Sequence, residues 1–211
     1  MPDGPAFALF LIAAFLLLIT PGPAVLYIIA RSIDQGRLAG IVSVLGIAVG
    51  ALVHVATAAL GLSALLVSSA LAFTVVKYVG AAYLIYLGLR KLLSREEAQH
   101  SAKTAPRRLM RIFFDGILVN LFNPKTALFF FAFLPQFIDP GRGLAALQVL
   151  LLGLIFVGMA IISDGLYAML AGTLGQWLKG NRQFLRGQRY FAGVVYIALG
   201  ITAALVDTGR K

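Results

Sequence analysis

The sequence predicts an all-α polytopic membrane protein in which six transmembrane helices form two inverted three-helix repeats. Three observations lead to this fold class. Hydrophobic residues make up 60% of the 211-residue chain, and charged residues only 12%, about half the share usual in a soluble domain. Long uncharged segments follow one another along the chain, and basic residues concentrate in alternate connections between them. The composition excludes most soluble folds and also excludes a disordered chain.

The uncharged segments predict six spans, because a transmembrane helix needs about 20 mainly apolar residues. The segment between Arg37 and Lys77 holds one whole span and half of the next, with a tight turn near Gly61 to Ser63. No basic residue precedes the first span, so we do not expect a cleaved signal peptide. The predicted spans cover residues 6–30, 38–61, 66–90, 112–137, 144–174 and 190–206.

The basic residues predict the orientation in the bilayer. Most of them lie in the connections between spans 1 and 2, 3 and 4, and 5 and 6, whereas the opposite side carries only Arg142, Arg210 and Lys211. The positive-inside rule then places both termini outside the cytoplasm, on the periplasmic side. The same loops explain the net charge of +10. No basic stripe with interleaved aromatics is present, so the expected partner is the lipid bilayer and not nucleic acid.

Each half of the chain holds three spans, and this odd number forces the second half to insert upside down relative to the first. We divide the chain into a first repeat (1–93), a basic cytoplasmic linker (94–111) and a second repeat (112–211). A D-x-G-R string at 34–37 and again at 139–142 is a trace of duplication. Inverted repeats are a common plan of secondary transporters.

Both repeats carry a helix break at a corresponding place. Span 1 contains Pro21, Gly22 and Pro23 in succession, and span 4 contains Asn123 followed by Pro124. Proline removes a backbone donor and glycine relaxes the backbone, so both helices must kink or unwind. A broken helix presents free N–H groups at one end and free carbonyls at the other. A simple kink is the alternative, but two matching breaks favour a binding site.

Four ionisable residues lie well inside the predicted spans, away from their ends: His54, Lys77, Lys125 and Asp164. A charge at the bilayer centre costs roughly 2.5–3.5 kcal/mol on insertion scales, so we expect these groups to face the bundle interior. Lys125, directly after a break, is the strongest binding candidate. Asp164 and His54 are the candidates for proton coupling. The alternatives are a structural ion pair of Asp164 with Lys77 or Lys125, and a packing role for His54.

Several classes of protein lack support in the sequence. The chain has no P-loop, no H-E-x-x-H and no G-x-S-x-G motif, so we expect no catalytic residues and no enzyme activity. With no cysteine and two histidines, we expect neither a metal site nor a cofactor. The spacing of Gly46 and Gly50 suits a homodimer face, although it favours packing between helices of one chain.

Three motifs together resemble the LysE/RhtB family of amino-acid exporters. They are T-P-G-P at 20–23, K-x-x-G-A-x-Y-L-x-x-L-G at 77–88, and G-x-x-x-N-x-x-N-P-K at 116–125, followed by F-L-P-Q-F at 133–137. The resemblance covers nearly the whole chain and preserves the order and spacing of the motifs. It implies a small protein of the bacterial inner (plasma) membrane that exports amino acids or close derivatives, driven by the proton-motive force.

An amino acid is a zwitterion, so its site needs a partner of each charge. We expect the helix ends near 21–23 and 123–125 to bind the α-carboxylate, and Asp164 with Asn120 to bind the α-ammonium. Protonation of Asp164 from outside would weaken that contact and release the substrate, which gives proton antiport. The predicted substrate-binding residues are Pro21, Gly22, Pro23, Lys77, Asn120, Asn123, Pro124, Lys125 and Asp164.

Two other functions stay open on the sequence alone. The first is export of a solute other than an amino acid, such as a cation. The scarcity of acidic and histidine residues at membrane depth argues against it, and it predicts metal sensitivity in a deletion strain. The second is a non-transporting membrane scaffold. It predicts that Lys77, Lys125 and Asp164 can be replaced by apolar residues without a phenotype.

Overall fold

The computed structural model describes the chain continuously over residues 4–68, 70–93, 108–139 and 143–180. It also describes positions 2, 141, 186–187, 190–191, 194–195, 197–198, 201 and 204–205. Most of the predicted linker, up to residue 107, lies outside these residues, as does much of the predicted sixth span. The positions of that span that are described have helical conformation.

Helices form all the regular structure of the described ranges, which confirms the predicted all-α fold class. The α-helices are α1 (Gly4–Ile19), α2 (Pro23–Gln35), α3 (Arg37–Ser68), α4 (Ala70–Leu93), α5 (Leu109–Leu121), α6 (Pro124–Leu128) and α7 (Ala145–Gly180). A π-helix (Phe129–Phe133) and a 3-10 helix (Leu134–Phe137) connect α6 to the loop before α7.

Both predicted helix breaks are confirmed. The axes of α1 and α2 differ by 46°, and those of α5 and the segment Pro124–Phe137 differ by 48°. Proline stands in the first turn after each break, Pro23 in α2 and Pro124 in α6, where its missing N–H would have no helical partner anyway. The sequence therefore directs each helix to stop and restart in a new direction.

Two described helices are long and apolar enough to cross a membrane: α3 over Arg37–Gly61 and α7 over Ala145–Thr173. The number rises to four if each bent pair forms one span. Large apolar side chains on their outer faces are exposed, as expected where a helix meets lipid; Leu45, Leu154 and Ile162 are examples. The turn predicted at Gly61 to Ser63 is wrong, because α3 continues as helix to Ser68.

Helix α3 lies at the centre of the bundle, between α5 and α7. Glycines bring the backbones of α3 and α5 into contact. Gly46 lies against the Phe113 carbonyl and Gly116, and Gly50 lies against Ile117. These contacts confirm that the glycine pair packs helices within one chain, and they join the first half of the sequence to the second.

An aromatic core fills the space between α1, α7 and the π-helix. The ring centroids of Phe129 and Phe156 lie 4.3 Å apart in a stacked arrangement, and Phe10 meets Phe137 edge-on at 5.5 Å. These side chains are almost fully buried. Offset-stacked and edge-on pairs each contribute about 0.5–1.5 kcal/mol beyond their buried area. This core fixes α1 against the second broken span.

We expect Gly46→Ala to destabilise the protein by about 1–3 kcal/mol, the usual cost of overpacking. An added Cβ atom would clash with the Phe113 carbonyl oxygen and lie 3.3 Å from the Gly116 Cα, so α3 and α5 would have to separate. The measurement is the melting temperature of the detergent-purified protein. Gly158→Ala is the matched control, because that helical glycine has nothing within 4 Å of an added Cβ. Equal melting temperatures for the two variants would contradict the close contact.

Candidate functional site

The C-terminal end of α1 supplies a group of backbone carbonyls at the first break. A helix leaves its last four carbonyls without helical partners, and at membrane depth each needs another donor. The Thr20 hydroxyl donates to the Leu16 carbonyl at 2.7 Å, and the Tyr167 hydroxyl donates to the Ile19 carbonyl at 2.8 Å. The Leu17 carbonyl accepts the Thr20 backbone N–H at 3.1 Å, and the carbonyls of Leu17 and Thr20 share a further donor that comes from the second break.

That donor is the ammonium group of Lys125. Its Nζ donates to the Leu17 carbonyl at 2.9 Å and to the Thr20 carbonyl at 2.7 Å. Asn123 caps α6 by accepting the Lys125 backbone N–H at 3.1 Å, which fixes the start of the helix that carries the side chain. Lys125 is buried. The two helix breaks of the chain therefore meet at a single ammonium group.

Asp164 on α7 is the acidic member of the site. It is 5% exposed, and its charge interacts with Lys125 and with the Tyr167 hydroxyl. Within the part of the chain that the structure describes, its carboxylate makes no hydrogen bond and no direct ion pair. Asp164 and Tyr167 share one face of α7 because they lie three residues apart. A buried carboxylate in this position is available to a proton or to a cation.

A hydrogen-bonded network around Asn120 supports the second break. Its side-chain amide donates to the Ile47 carbonyl of α3 at 2.7 Å. Its side-chain oxygen accepts from the Thr126 hydroxyl at 2.8 Å and from the Asn123 amide at 3.3 Å. All of these polar side chains are buried. The network fixes α5, α6 and α3 relative to one another, so it holds the backbone that places Lys125.

His54 joins this network from α3. Its Nε2 lies 3.1 Å from the Asn120 carbonyl, which can only accept, so this nitrogen carries the proton. The ring stacks on Phe130 with 6° between the planes and meets Phe131 edge-on. Among the described side chains, no contact joins His54 to Lys125 or Asp164.

The N-terminal end of α2 completes the first break. Gly22 precedes α2 in extended conformation and provides no side-chain cap, and Pro23 occupies the first turn. The following residues Ala24 and Val25 are buried. The positive end of the helix dipole therefore lies beside the carbonyls of α1 without a capping side chain.

The structure thus brings together three parts of the predicted site: the break at 21–23, Lys125 and Asp164. Asn120, Asn123 and Pro124 lie behind Lys125 and shape its helix. Lys77 belongs to α4, and its side chain lies outside the described part of the chain. Where the structure describes the chain, no cluster of three or more potential metal ligands occurs.

The predicted site residues did not include three polar residues that the structure places at the site: Thr20, Thr126 and Tyr167. Tyr167 was detectable from its position three residues after Asp164 on the same helix face. Thr126 lies inside the first turn that Asn123 caps, and Thr20 lies four residues after the carbonyl it satisfies. Which carbonyl each hydroxyl meets depends on how the helices pack, and the sequence alone does not contain that information.

In the described part of this multi-pass chain, broken helices meet around buried charges, an arrangement typical of membrane transporters. The chain belongs to the LysE type translocator family, whose profile matches residues 15–206. It is accordingly a transporter and not an enzyme.

Relatives of known sequence cover nearly the full length. An uncharacterized membrane protein of Vibrio cholerae serotype O1 is 33% identical over 198 residues, which cover 92% of this chain and 94% of that protein. The homoserine/homoserine lactone efflux protein of Salmonella typhimurium is 32% identical over 197 residues, with the same two coverages. The uncharacterized membrane protein YrhP of Bacillus subtilis is 30% identical over 201 residues, covering 91% of this chain and 95% of its own. No solved structure matches the chain.

Proposed function

We propose that the protein exports amino acids or close derivatives, with homoserine as the first candidate, across a bacterial inner membrane in exchange for protons. The name of the Salmonella relative supports this solute class. The proposal retains six spans in two inverted repeats with both termini outside. The similar bends of the two broken pairs, 46° and 48°, support the repeat.

One observation carries the proposal: helix ends of opposite polarity meet at one buried place. The carbonyl end of α1 attracts cations, and the uncapped start of α2 attracts anions. A zwitterion presents an ammonium and a carboxylate separated by one carbon atom. A break between two half-helices therefore suits the shared part of all amino acids and leaves the side chain to be selected elsewhere.

The proposed substrate complex uses both ends of the break. The α-carboxylate lies at the start of α2, beside Gly22 and Pro23. The α-ammonium lies at the carbonyls of Leu17 and Thr20, with the Asp164 carboxylate as its counter-charge. The Lys125 ammonium then leaves the Leu17 and Thr20 carbonyls and turns towards the carboxylates of the substrate and of Asp164. Asn120 supports the helix ends and does not touch the substrate, because its side-chain groups are already hydrogen-bonded.

Asp164 is the proposed proton carrier. The ionisable groups that face it are Lys125 from α6 and Tyr167 from its own helix. Ionised Asp164 favours a cation beside it, whether that cation is the substrate ammonium or Lys125. A proton that arrives from outside removes this attraction and lowers the affinity for substrate on the side where release occurs. One proton then enters as one substrate leaves.

The test is export from cells that carry or lack this protein and are fed dipeptides, which raises the internal level of each amino acid. We expect faster release of homoserine or of a few related amino acids, at least tenfold reduced by Lys125→Ala. Arg111→Ala is the control, because Arg111 is an exposed cation at the start of α5. Both variants must be quantified in the membrane fraction. Unchanged release of every amino acid would refute the proposal and favour cation export or a scaffold role.

A further inference from the structure

We propose that the end of α1 is a binding site for a primary ammonium ion, and that the Lys125 ammonium occupies it while no substrate is bound. The site consists of the Leu17 and Thr20 carbonyls. Lys125 Nζ lies 2.9 Å and 2.7 Å from these two oxygens, at the distances of charge-assisted hydrogen bonds. The lysine is thus a tethered stand-in for the ammonium group of the solute.

The surroundings show that this ammonium is held by backbone and not by a counter-ion. Lys125 is 6% exposed, and no carboxylate among the described residues lies within ion-pair distance of it. A lysine with only a structural role at this depth would be expected to pair directly with Asp164, which is buried nearby and makes no hydrogen bond. The structure therefore holds the Lys125 ammonium on backbone carbonyls, next to a buried carboxylate that it does not contact directly.

This arrangement provides two positions for one side chain. In the empty protein, Lys125 satisfies the carbonyls, so the broken end of α1 is never left without donors at membrane depth. When the substrate ammonium takes the carbonyls, Lys125 is displaced towards Asp164. When Asp164 is protonated, Lys125 loses that second position and returns to the carbonyls, where it competes with the substrate. This step rests on the proposed function, whereas the cation site itself does not.

The cation site is tested by removing the tether and supplying a free ammonium ion. We expect Lys125→Ala to have a lower melting temperature than the unmodified protein in detergent. Methylammonium chloride should raise it again by about 2–4 °C or more, because the ion binds the folded state. Tetramethylammonium chloride at equal concentration is the control salt, because it has the same charge and no N–H donor. The unmodified protein should respond equally to both salts, because its site is filled.

Lys125→Met provides a second variant that fills more of the vacated space if the alanine variant does not fold. Equal responses to methylammonium and tetramethylammonium in a folded Lys125 variant would overturn the proposal. A methylammonium response of the same size in the unmodified protein would overturn it as well. Stabilisation by methylammonium without export of any amino acid would retain the cation site and refute the proposed function. Export of an amino acid without stabilisation by methylammonium would retain the proposed function and refute the cation site.

Discussion

Asp164→Asn is expected to abolish the proton-driven accumulation of substrate. Exchange of substrate for substrate across the membrane should remain. In proteoliposomes with the membrane potential held at zero, a difference of one pH unit supports about tenfold accumulation at one proton per solute, since 1.4 kcal/mol corresponds to tenfold. We expect the unmodified protein to approach this ratio and Asp164→Asn to stay near onefold. The asparagine keeps the shape of the side chain but cannot carry a proton at the same atom.

Two further measurements separate loss of coupling from loss of protein. Exchange of labelled for unlabelled substrate at equal pH should persist in Asp164→Asn at high substrate concentration, because exchange needs no net proton movement. Its KM should rise, because asparagine lacks the negative charge that attracts the substrate ammonium. Asp164→Glu is the matched variant that keeps a carboxylate, and we expect it to retain part of the accumulation. If Asp164→Asn still accumulates substrate tenfold, Asp164 is not the proton carrier, and a structural role beside Lys125 becomes the better interpretation.

Asn120→Leu is expected to have the largest effect on stability. The change removes the acceptor of the Thr126 hydroxyl and of the Asn123 amide, and it removes the donor to the Ile47 carbonyl. Each buried donor left without a partner costs about 1–3 kcal/mol. The summed loss in the free energy of unfolding is larger than that caused by most single substitutions. Most of the protein should therefore be lost from the membrane or aggregate on extraction.

Thr126→Val gives a graded comparison within the same network. It removes one hydroxyl together with its hydrogen bond and keeps the shape of the side chain, so no buried donor is left unpaired. Thr126→Val should lower the melting temperature clearly less than Asn120→Leu does. Thr57→Ala, which alters an exposed hydroxyl bonded within its own helix, should change little. Full stability of Asn120→Leu would show that the network does not hold the break.

Much of the fold follows from simple features of the sequence. Apolar segments and proline positions are local properties, so the two broken pairs and the long helices α3 and α7 were predictable to within a few residues. The burial of His54, Lys125 and Asp164 was predictable too, because an ionised group facing lipid is costly. The end of α3 was not, because small and apolar residues around Gly61 suit a turn and a helix equally well.

The pairing within the site was predictable only in part. The residues near the breaks were found from the sequence, but the hydrogen bonds from Lys125 to the carbonyls of α1 were not predicted. These bonds depend on which helix end faces the lysine, and that is set by packing of α1 against α7 and the aromatic core. The end of α1 and the start of α2 have opposite polarity and are separated by only three residues. The sequence alone does not show how the two halves of the chain pack, so it does not show which of these helix ends Lys125 meets.

The donors to the α1 carbonyls also impose an order on biosynthesis. Lys125 follows Leu17 and Thr20 by 108 and 105 residues, and Tyr167 follows Ile19 by 148. At about 5–20 residues per second, roughly 5–30 seconds pass before the ribosome has made these partners. During that time Thr20 alone supplies donors, to the Leu16 and Leu17 carbonyls, and the Ile19 and Thr20 carbonyls lack the partners they have in the folded protein. It must be kept near water or held by the insertion machinery, so the first helix of the chain is among the last to settle in the bilayer.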